Sequence, residues 1–261
     1  MRSAIGGASQ TMNQAEKIRD ALAKVESLRD GGRSSAELGQ SVARLKHLQA
    51  LRFRGTYADL TTDVRFAPAT SFFLEELYGE RDFASRDAQF FKVAGALERM
   101  LPGAAVDTAV TLARLHVLSE ELDYHMAATS IDFSIFPKSA RQASANYVHA
   151  WRKVGRREDR MRQLRMVLTL GQDLIRLTNT RGLRLILRMM HAPANAAGFG
   201  ALQHFLEYGF DTFASMSKTG GHSAQFMSSI RDRETEMIDM LFDEEFPVCQ
   251  QRLAQLFELV N

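Results

Sequence analysis

Cysteine is nearly missing from this sequence, since Cys249 is the only one among 261 residues. A single thiol excludes an intramolecular disulfide and a zinc site built from several cysteines. The run that precedes it, DEEFPV, is acidic, and negative neighbours disfavour the thiolate that a nucleophile requires. We therefore do not expect Cys249 to be a catalytic residue.

Long apolar runs and an excess of one charge are missing as well. No uncharged apolar run approaches the ~20 residues that a membrane-spanning helix requires. The formal net charge is +2, which does not indicate nucleic acid or an acidic membrane surface as a partner. The first ten residues, MRSAIGGASQ, contain no apolar segment of the kind found in secretory signals. From these absences we expect a cytoplasmic protein without a membrane span.

Local signatures of catalysis are also missing. The sequence contains no phosphate-binding loop, no Gly-x-Gly-x-x-Gly after a strand, no Gly-x-Ser-x-Gly and no His-Glu-x-x-His. The Glu-x-x-His spacing of helical di-metal carboxylate proteins does not occur either. The sequence therefore favours a protein that is not an enzyme, and we predict no residue as a metal ligand. A helical carboxylate metalloprotein is the alternative.

Helical periodicity is abundant. Apolar residues recur every three or four positions in most segments, as Ile18, Leu22 and Val25 do. The five prolines fall at the ends of the predicted helices. Only SIDFSIFPKS alternates like a strand, and it is too short and isolated to build a sheet. The pattern predicts an all-α protein, a single globular multi-helix domain of about nine helices.

The predicted organisation is an N-terminal helix in residues 1–33, ended by two glycines, followed by an all-α domain in residues 34–261. No internal repeat and no long linker divides the chain. A boundary near residue 138 is the alternative.

Charge is unevenly distributed along the chain. Residues 152–188 carry eleven basic side chains against three acidic ones, and residues 232–245 carry seven acidic side chains against one arginine. The basic residues point in many directions around the helix, without the interleaved aromatics that stack on bases. We predict that the two blocks face each other, within one chain or across a homodimer, and that the protein binds no nucleic acid.

The stretch APATSFFLEELYGERDF, residues 67–83, places two adjacent carboxylates in an apolar helix. At about 100° per residue, Glu75 and Glu76 lie on either side of Phe72. The broad opposite side is formed by Phe73, Leu74, Leu77 and Tyr78. We predict that the acids form a solvated edge, with an ion-binding site as the alternative.

A long helix predicted from about residue 104 to 128 carries a histidine on its apolar face. His116 shares that face with Ser119 and Asp123. A buried imidazole requires a hydrogen-bond partner, and Ser119 or Asp123 is the expected one. The alternative is a ligand to a metal ion or to haem iron.

The helix GFGALQHFLEYGFDTF contains the interior glycines Gly200 and Gly209. Each costs about 1 kcal/mol relative to alanine, so either close packing or room for an apolar ligand should offset the loss. Together with LRMMHAP just before it, this helix is predicted to line a pocket. The predicted pocket residues are Phe199, Phe205, Phe210, Phe213 and Met189.

The motifs FFLEELYG, RDAQF and LSEELD, with LRMM-APA-AAG later in the chain, resemble a family of uncharacterised bacterial proteins that carry the FFLEELY motif. The similarity extends from about Arg52 to Arg233. It implies a bacterial, soluble protein and brings no established activity, cofactor or catalytic residue.

A second resemblance is to globins, which place a proline before a phenylalanine that packs on haem, then a distal residue and a proximal histidine. The order here is Pro68, then Phe72 and Phe73, then Gln89, then His116. It implies haem with His116 as the proximal ligand, although the chain is longer on both sides than a globin. The leading hypothesis is a non-enzymatic binding or regulatory module for a partner protein or an apolar small molecule. Globin-like haem binding is the alternative.

Overall fold

A computed structural model of the chain describes residues 12–77, 79, 83–131, 139–218 and 220–259. These residues form twelve α-helices and one π-helical turn, with no strand among them. The all-α class is confirmed, and the predicted number of helices is too low. Short loops divide segments whose periodicity reads as continuous, so that residues 140–196 form three separate helices. Most of SIDFSIFPKS, residues 132–138, lies outside the described ranges.

The α-helices are α1 Gln14–Gly32, α2 Ala36–Thr56, α3 Ala58–Thr62, α4 Ala67–Phe72, α5 Ala84–Met100, α6 Gly103–Ser130, α7 Ala140–Val154, α8 Arg157–Thr178, α9 Leu183–Ala196, α10 Gly200–Ser217, α11 His222–Asp243 and α12 Phe246–Glu258. The π-helical turn Phe73–Leu77 follows α4 without a break.

Local capping chemistry fixes several helix ends. The Asn13 side chain accepts a hydrogen bond from the Glu16 amide, and the Glu16 carboxylate accepts one from the Asn13 amide, both at 2.8 Å. Ser139 caps α7 by accepting from the Gln142 amide.

Pro193 departs from the predicted placement of prolines, because it lies inside the last turn of α9. Near a helix end, its missing N–H removes only one hydrogen bond.

Helix α6 is the centre of the fold and packs against α1, α2, α7 and α8. Leu122 and Met126 are fully buried, and buried residues occur on several sides of this helix. The single apolar face predicted for it is therefore too narrow, because a helix surrounded by others buries most of its circumference. The main hydrophobic core contains residues from every α-helix except α9, on both sides of residue 138.

A smaller apolar cluster lies beneath α9 and consists of Leu177, Leu183, Leu187 and Phe210. Helix α9 contacts α10 and, to a lesser extent, α8. Within the described residues, no helix combines the length and apolar composition that crossing a bilayer requires.

Candidate functional site: three adjoining cavities

The helix predicted within residues 67–83 changes its pitch in the middle. Its first half is α4, and from Phe73 to Leu77 the backbone forms a π-helical turn. At Gly79 a Cβ atom would collide with the Glu75 carbonyl group, so the chain can close this turn only with glycine. Such π-helical turns occur frequently at functional sites.

The wider turn alters which side chains are buried. Phe72 and Phe73 are both in the core, and Glu76 is 7% exposed. Glu75 is exposed, as the solvated-edge prediction requires, but the prediction is wrong for Glu76. The reason is that a π-helical turn holds more residues than an α-helical one, which rotates Glu76 inward. Arg86 donates a hydrogen bond of 2.9 Å to the Glu76 main-chain oxygen.

The first of three cavities, the apolar cavity, has a volume of about 100 Å³ and is bounded by α4, α5, α6, α8, α9 and α10. Its wall consists almost wholly of leucine, phenylalanine and alanine side chains. Thr108 is the polar exception, and its hydroxyl donates to the Ala104 carbonyl at 2.8 Å. The wall therefore provides few hydrogen-bond partners for a polar group.

Gly209 belongs to this wall and explains how α10 tolerates an interior glycine. A Cβ atom there would lie 3.0 Å from Cζ of Phe72, so the missing methyl group lets the Phe72 ring pack close to the helix. That ring stacks on Phe205 at 5.6 Å and meets Tyr208 and Phe213 edge-on at 5.3 and 6.1 Å. Both effects considered for Gly209, close packing and room in a pocket, occur at this one position.

The predicted pocket residues divide between the wall and positions outside it. Phe205 and Phe210 line the apolar cavity. Phe213 packs on Phe72 from outside the wall, and Phe199 is a half-buried residue that precedes α10. Met189 is 68% exposed, which corrects its predicted place in the pocket. It lies about half a turn from Leu187, which lines the cavity from α9.

The second cavity, the polar cavity, has a volume of about 90 Å³ and lies among α2, α6, α7, α8 and α11. Arg52 reaches it from α2 and forms an ion pair of 3.0 Å with Glu234. The Tyr57 hydroxyl also donates to Glu234, at 2.9 Å. Burial opposes the charge on Arg52, but the Glu234 carboxylate outweighs it and raises the pKa of the guanidinium.

Other polar groups of this wall are also held by neighbours. Gln49 donates to the Asp123 carboxylate at 2.7 Å, and burial raises the pKa of that carboxyl, which favours its protonated form. Arg52 Nε and Trp151 Nε1 are buried donors without a hydrogen-bond partner among the described residues. The Arg160 guanidinium lies 4.2 Å from the centre of the Trp151 ring. The cavity thus combines cations, aromatic rings and buried hydrogen-bond donors.

The third cavity, the middle cavity, has a volume of about 50 Å³ and adjoins the other two. It shares five wall residues with the apolar cavity, namely Leu77, Phe90, Leu112, Leu202 and Phe205. It shares His116 and Ser119 with the polar cavity, and Leu77 of the π-helical turn borders all three. The three cavities form a series that begins among hydrocarbon side chains and ends among charged ones.

A buried network of charges surrounds His116. His116 Nε2 lies 2.8 Å from Asp87 Oδ2, and Arg29 lies 2.9 Å from Asp87 and 3.3 Å from Glu120. Lys46 completes the network at 2.9 Å from Glu120. Burial opposes ionisation of Asp87, but His116, Arg29 and Arg86 together lower its pKa.

This network corrects the expected partners of His116. They come from α5 and α1 rather than from its own helix. Ser119 instead accepts from Gln163 at 2.8 Å, and Asp123 accepts from Gln49. Contacts between distant helices cannot be inferred from the spacing along one helix.

Arg86 is a charged residue that lies close to the apolar cavity. Its side chain is 14% exposed, lines the middle cavity and lies 4.6 Å from the centre of the Phe205 ring. The carboxylates of Glu76 and Asp87 are each 3.7 Å away. Burial lowers the pKa of this arginine, and the two carboxylates only partly oppose that effect.

The residues of the globin resemblance are divided among different surroundings. Phe73 and His116 border the polar cavity, and Phe72 borders the apolar one. Gln89 accepts a hydrogen bond of 2.9 Å from the Leu202 amide and so caps the first turn of α10. The geometry does not gather these four side chains around one cavity. In the described part of the chain, no three His, Cys, Asp or Glu side chains converge as a metal site requires.

The basic and acidic blocks meet within the chain at two arginines. Arg157 pairs with Asp243 at 2.6 Å and with Asp239, and Arg152 donates to the Leu241 carbonyl at 2.9 Å. Other arginines of the basic block have partners elsewhere, as Arg184 does with Asp211. The predicted facing of the blocks therefore applies only to the beginning of the basic block and the end of the acidic block.

Cys249 is fully buried in α12. Its thiol donates to the Met240 carbonyl at 3.0 Å, and the Arg152 guanidinium lies 3.3 Å from its sulfur. The side chain is therefore part of the packing between α7, α11 and α12.

The sequence of the chain matches a known family model. No curated protein matches the chain, and no solved structure matches it. A family model described as a domain of unknown function, DUF8198, matches residues 28–247. That range contains the wall residues of all three cavities except Leu22. Because the match covers most of the chain, this protein belongs to the DUF8198 family.

Proposed function

We propose that the protein binds a small molecule whose apolar part occupies the apolar cavity. The observation that carries this proposal is a space of about 100 Å³ with a hydrocarbon wall inside a closely packed helical core. Protein interiors normally leave few spaces larger than a water molecule, and unfilled apolar volume lowers stability. A ligand that fills the space would recover the missing contacts.

The size and chemistry of the wall indicate the class of ligand. An engineered apolar cavity of about 150 Å³ binds benzene, and the apolar cavity together with the adjoining middle cavity is of that scale. The apolar part should therefore be an aromatic ring or a short alkyl group. Thr108 already uses its hydroxyl within α6, so recognition in the apolar cavity relies on shape and on the release of water.

Helix α9 is the cover through which such a ligand would enter. Leu183 and Leu187 line the cavity from this helix, while its outer face is exposed. Gln203 donates to the Leu187 carbonyl at 2.7 Å, and His191 lies 2.9 Å from Glu207. These few polar contacts between α9 and α10 would have to open before the wall could separate.

The test is to fill the apolar cavity with a side chain. Ala109 belongs to its wall, so Ala109→Leu should occupy much of the space. Ala104 is exposed on the same helix, so Ala104→Leu is a matched control. Toluene and 1-hexanol serve as probes, followed by ligand-observed NMR and by the shift in melting temperature that binding produces.

The wild-type protein and Ala104→Leu should bind both probes, and Ala109→Leu should bind at least about tenfold more weakly. Ala109→Leu should also remain as stable as the wild type, because it replaces empty volume with hydrocarbon. Equal binding by both variants would place the probes elsewhere. If the wild type binds neither toluene nor 1-hexanol, the proposal is overturned.

A further inference from the structure

The middle cavity places one guanidinium at the end of the apolar cavity. Phe205 forms part of both walls, and the Arg86 side chain lies over its ring. A ligand held in the apolar cavity that extends past Phe90 and Phe205 would therefore next meet Arg86. The polar cavity is farther along the series, since it shares only Leu77 with the apolar cavity.

Arg86 retains capacity to bind an acceptor. A guanidinium has five N–H donors, and one of them bonds the Glu76 carbonyl at 2.9 Å. The carboxylates of Glu76 and Asp87 lie at 3.7 Å, longer than a normal hydrogen bond. Asp87 is also engaged at shorter distance by His116 and Arg29. Among the described residues, the buried charge of Arg86 is thus only loosely compensated.

We propose that the ligand carries a carboxylate and that Arg86 binds it in the middle cavity. This inference rests on the proposed function, which places the apolar part of the same molecule in the apolar cavity. A planar carboxylate matches the fork of a guanidinium and accepts two parallel hydrogen bonds from it. The middle cavity, at about 50 Å³, suits a head group of that size. The ligand class is a compact monocarboxylate with an aryl or short alkyl group.

The experiment compares two probes that differ in the head group, hexanoate and 1-hexanol, by isothermal titration calorimetry at pH 7. Hexanoate should bind the wild type about tenfold or more tightly than 1-hexanol, as expected for hydrogen bonds to a charged group. Arg86→Met should remove this preference and leave the affinity for 1-hexanol unchanged. Arg231→Met is the matched control, because Arg231 is a surface arginine of α11 that pairs with Asp232 and lines none of the three cavities.

The outcomes separate this inference from the proposed function. Equal affinity of the wild type for both probes would overturn the carboxylate and leave the apolar site in place. Binding of neither probe would overturn both. Tighter binding of hexyl phosphate than of hexanoate would contradict the carboxylate as the head group.

A second variant keeps the inference testable if Arg86→Met does not fold, as judged by circular dichroism and thermal melting. Arg86→Lys retains the charge but lacks the bidentate fork. It should weaken hexanoate selectively. An equal loss of affinity for both probes would contradict the assignment of Arg86.

Discussion

The polar and apolar cavities have nearly the same volume, about 90 and about 100 Å³, and opposite walls. The apolar one is enclosed by leucine and phenylalanine side chains, whose burial keeps the surrounding helices together. The polar one is enclosed by cations, carboxyl groups and amides, which must satisfy one another away from bulk water. One helical bundle thus preserves internal space in two ways, and the two spaces should respond to different perturbations.

Two consecutive residues lie at the boundary between the apolar and the polar cavity. Phe72 ends α4 and lines the apolar cavity, whereas Phe73 begins the π-helical turn and lines the polar one. Phe73 packs edge-on against Phe53 and Tyr57, at 5.9 and 5.6 Å. A change at either position therefore tests one cavity with little direct effect on the other.

The largest expected effects come from truncating these two rings. Phe72→Ala and Phe73→Ala should each lower the free energy of unfolding by about 3–5 kcal/mol, because both rings are almost fully buried. Urea denaturation measures the loss. Toluene should restore stability to Phe72→Ala, whose enlarged space is apolar, and should not restore it to Phe73→Ala. Rescue of both variants by toluene would show that the walls are less distinct than their residues indicate.

The second effect tests the polar wall through its buried ion pair. Glu234→Gln should lower the free energy of unfolding by about 3 kcal/mol, since it leaves the Arg52 charge buried without a carboxylate. Glu236→Gln, on the same helix, is the control. Its pair with Arg252 is exposed, so the change should stay within about 0.5 kcal/mol. Similar losses in the two variants would contradict the buried role of Glu234.

Asp123 provides a smaller effect that depends on pH. Its pKa is raised by burial, so the protonated form stabilises the fold below the unfolded pKa of about 3.9. This contribution is lost as the pH rises through the folded pKa. Asp123→Asn mimics the protonated carboxyl group and keeps an oxygen that can accept from Gln49. The variant should match the wild type at pH 4 and exceed it in stability at pH 7, as measured by urea denaturation.

Asp87 and Glu120 should show the opposite dependence. Burial opposes their charge, but Lys46, His116 and Arg29 outweigh it and lower the pKa of Glu120, as the surrounding cations do for Asp87. Their contribution is present above the unfolded pKa values and is lost as the pH falls. The wild type and Asp123→Asn should therefore differ in how their stability changes with pH. If the stability of both rose by equal amounts between pH 4 and pH 7, the assignment to Asp123 would be contradicted.

The smallest expected effect lies outside both cavities. Arg157 pairs with Asp239 and Asp243 at the surface, where water and salt weaken ion pairs. Arg157→Ala should lower stability slightly at low ionic strength, and the difference should vanish in 1 M sodium chloride. A loss that persists at high salt would mean that this pair resists screening as the buried ones do.

The sequence predicted those features that depend on neighbours along the chain. Helical periodicity sufficed for the all-α class and for α6, and the interior Gly209 drew attention to the helix that lines the apolar cavity. The π-helical turn was not predicted, because its residues have the same apolar spacing as an ordinary helix. The burial of Glu76 follows from that turn and was missed with it. The partners of His116 and the position of Arg86 depend on how α1, α5 and α6 meet, which no local pattern encodes.

The thiol of Cys249 has a consequence for measurement. Because it is the only cysteine in the chain and is fully buried, an aromatic disulfide reagent can modify it only when α12 separates from α7 and α11. The rate of modification in native buffer therefore reports how often that part of the molecule opens, without any label or engineered residue. If the opened helices close again faster than the reagent reacts with the thiol, the rate of modification rises in proportion to reagent concentration. That rate then yields the free energy of the local opening.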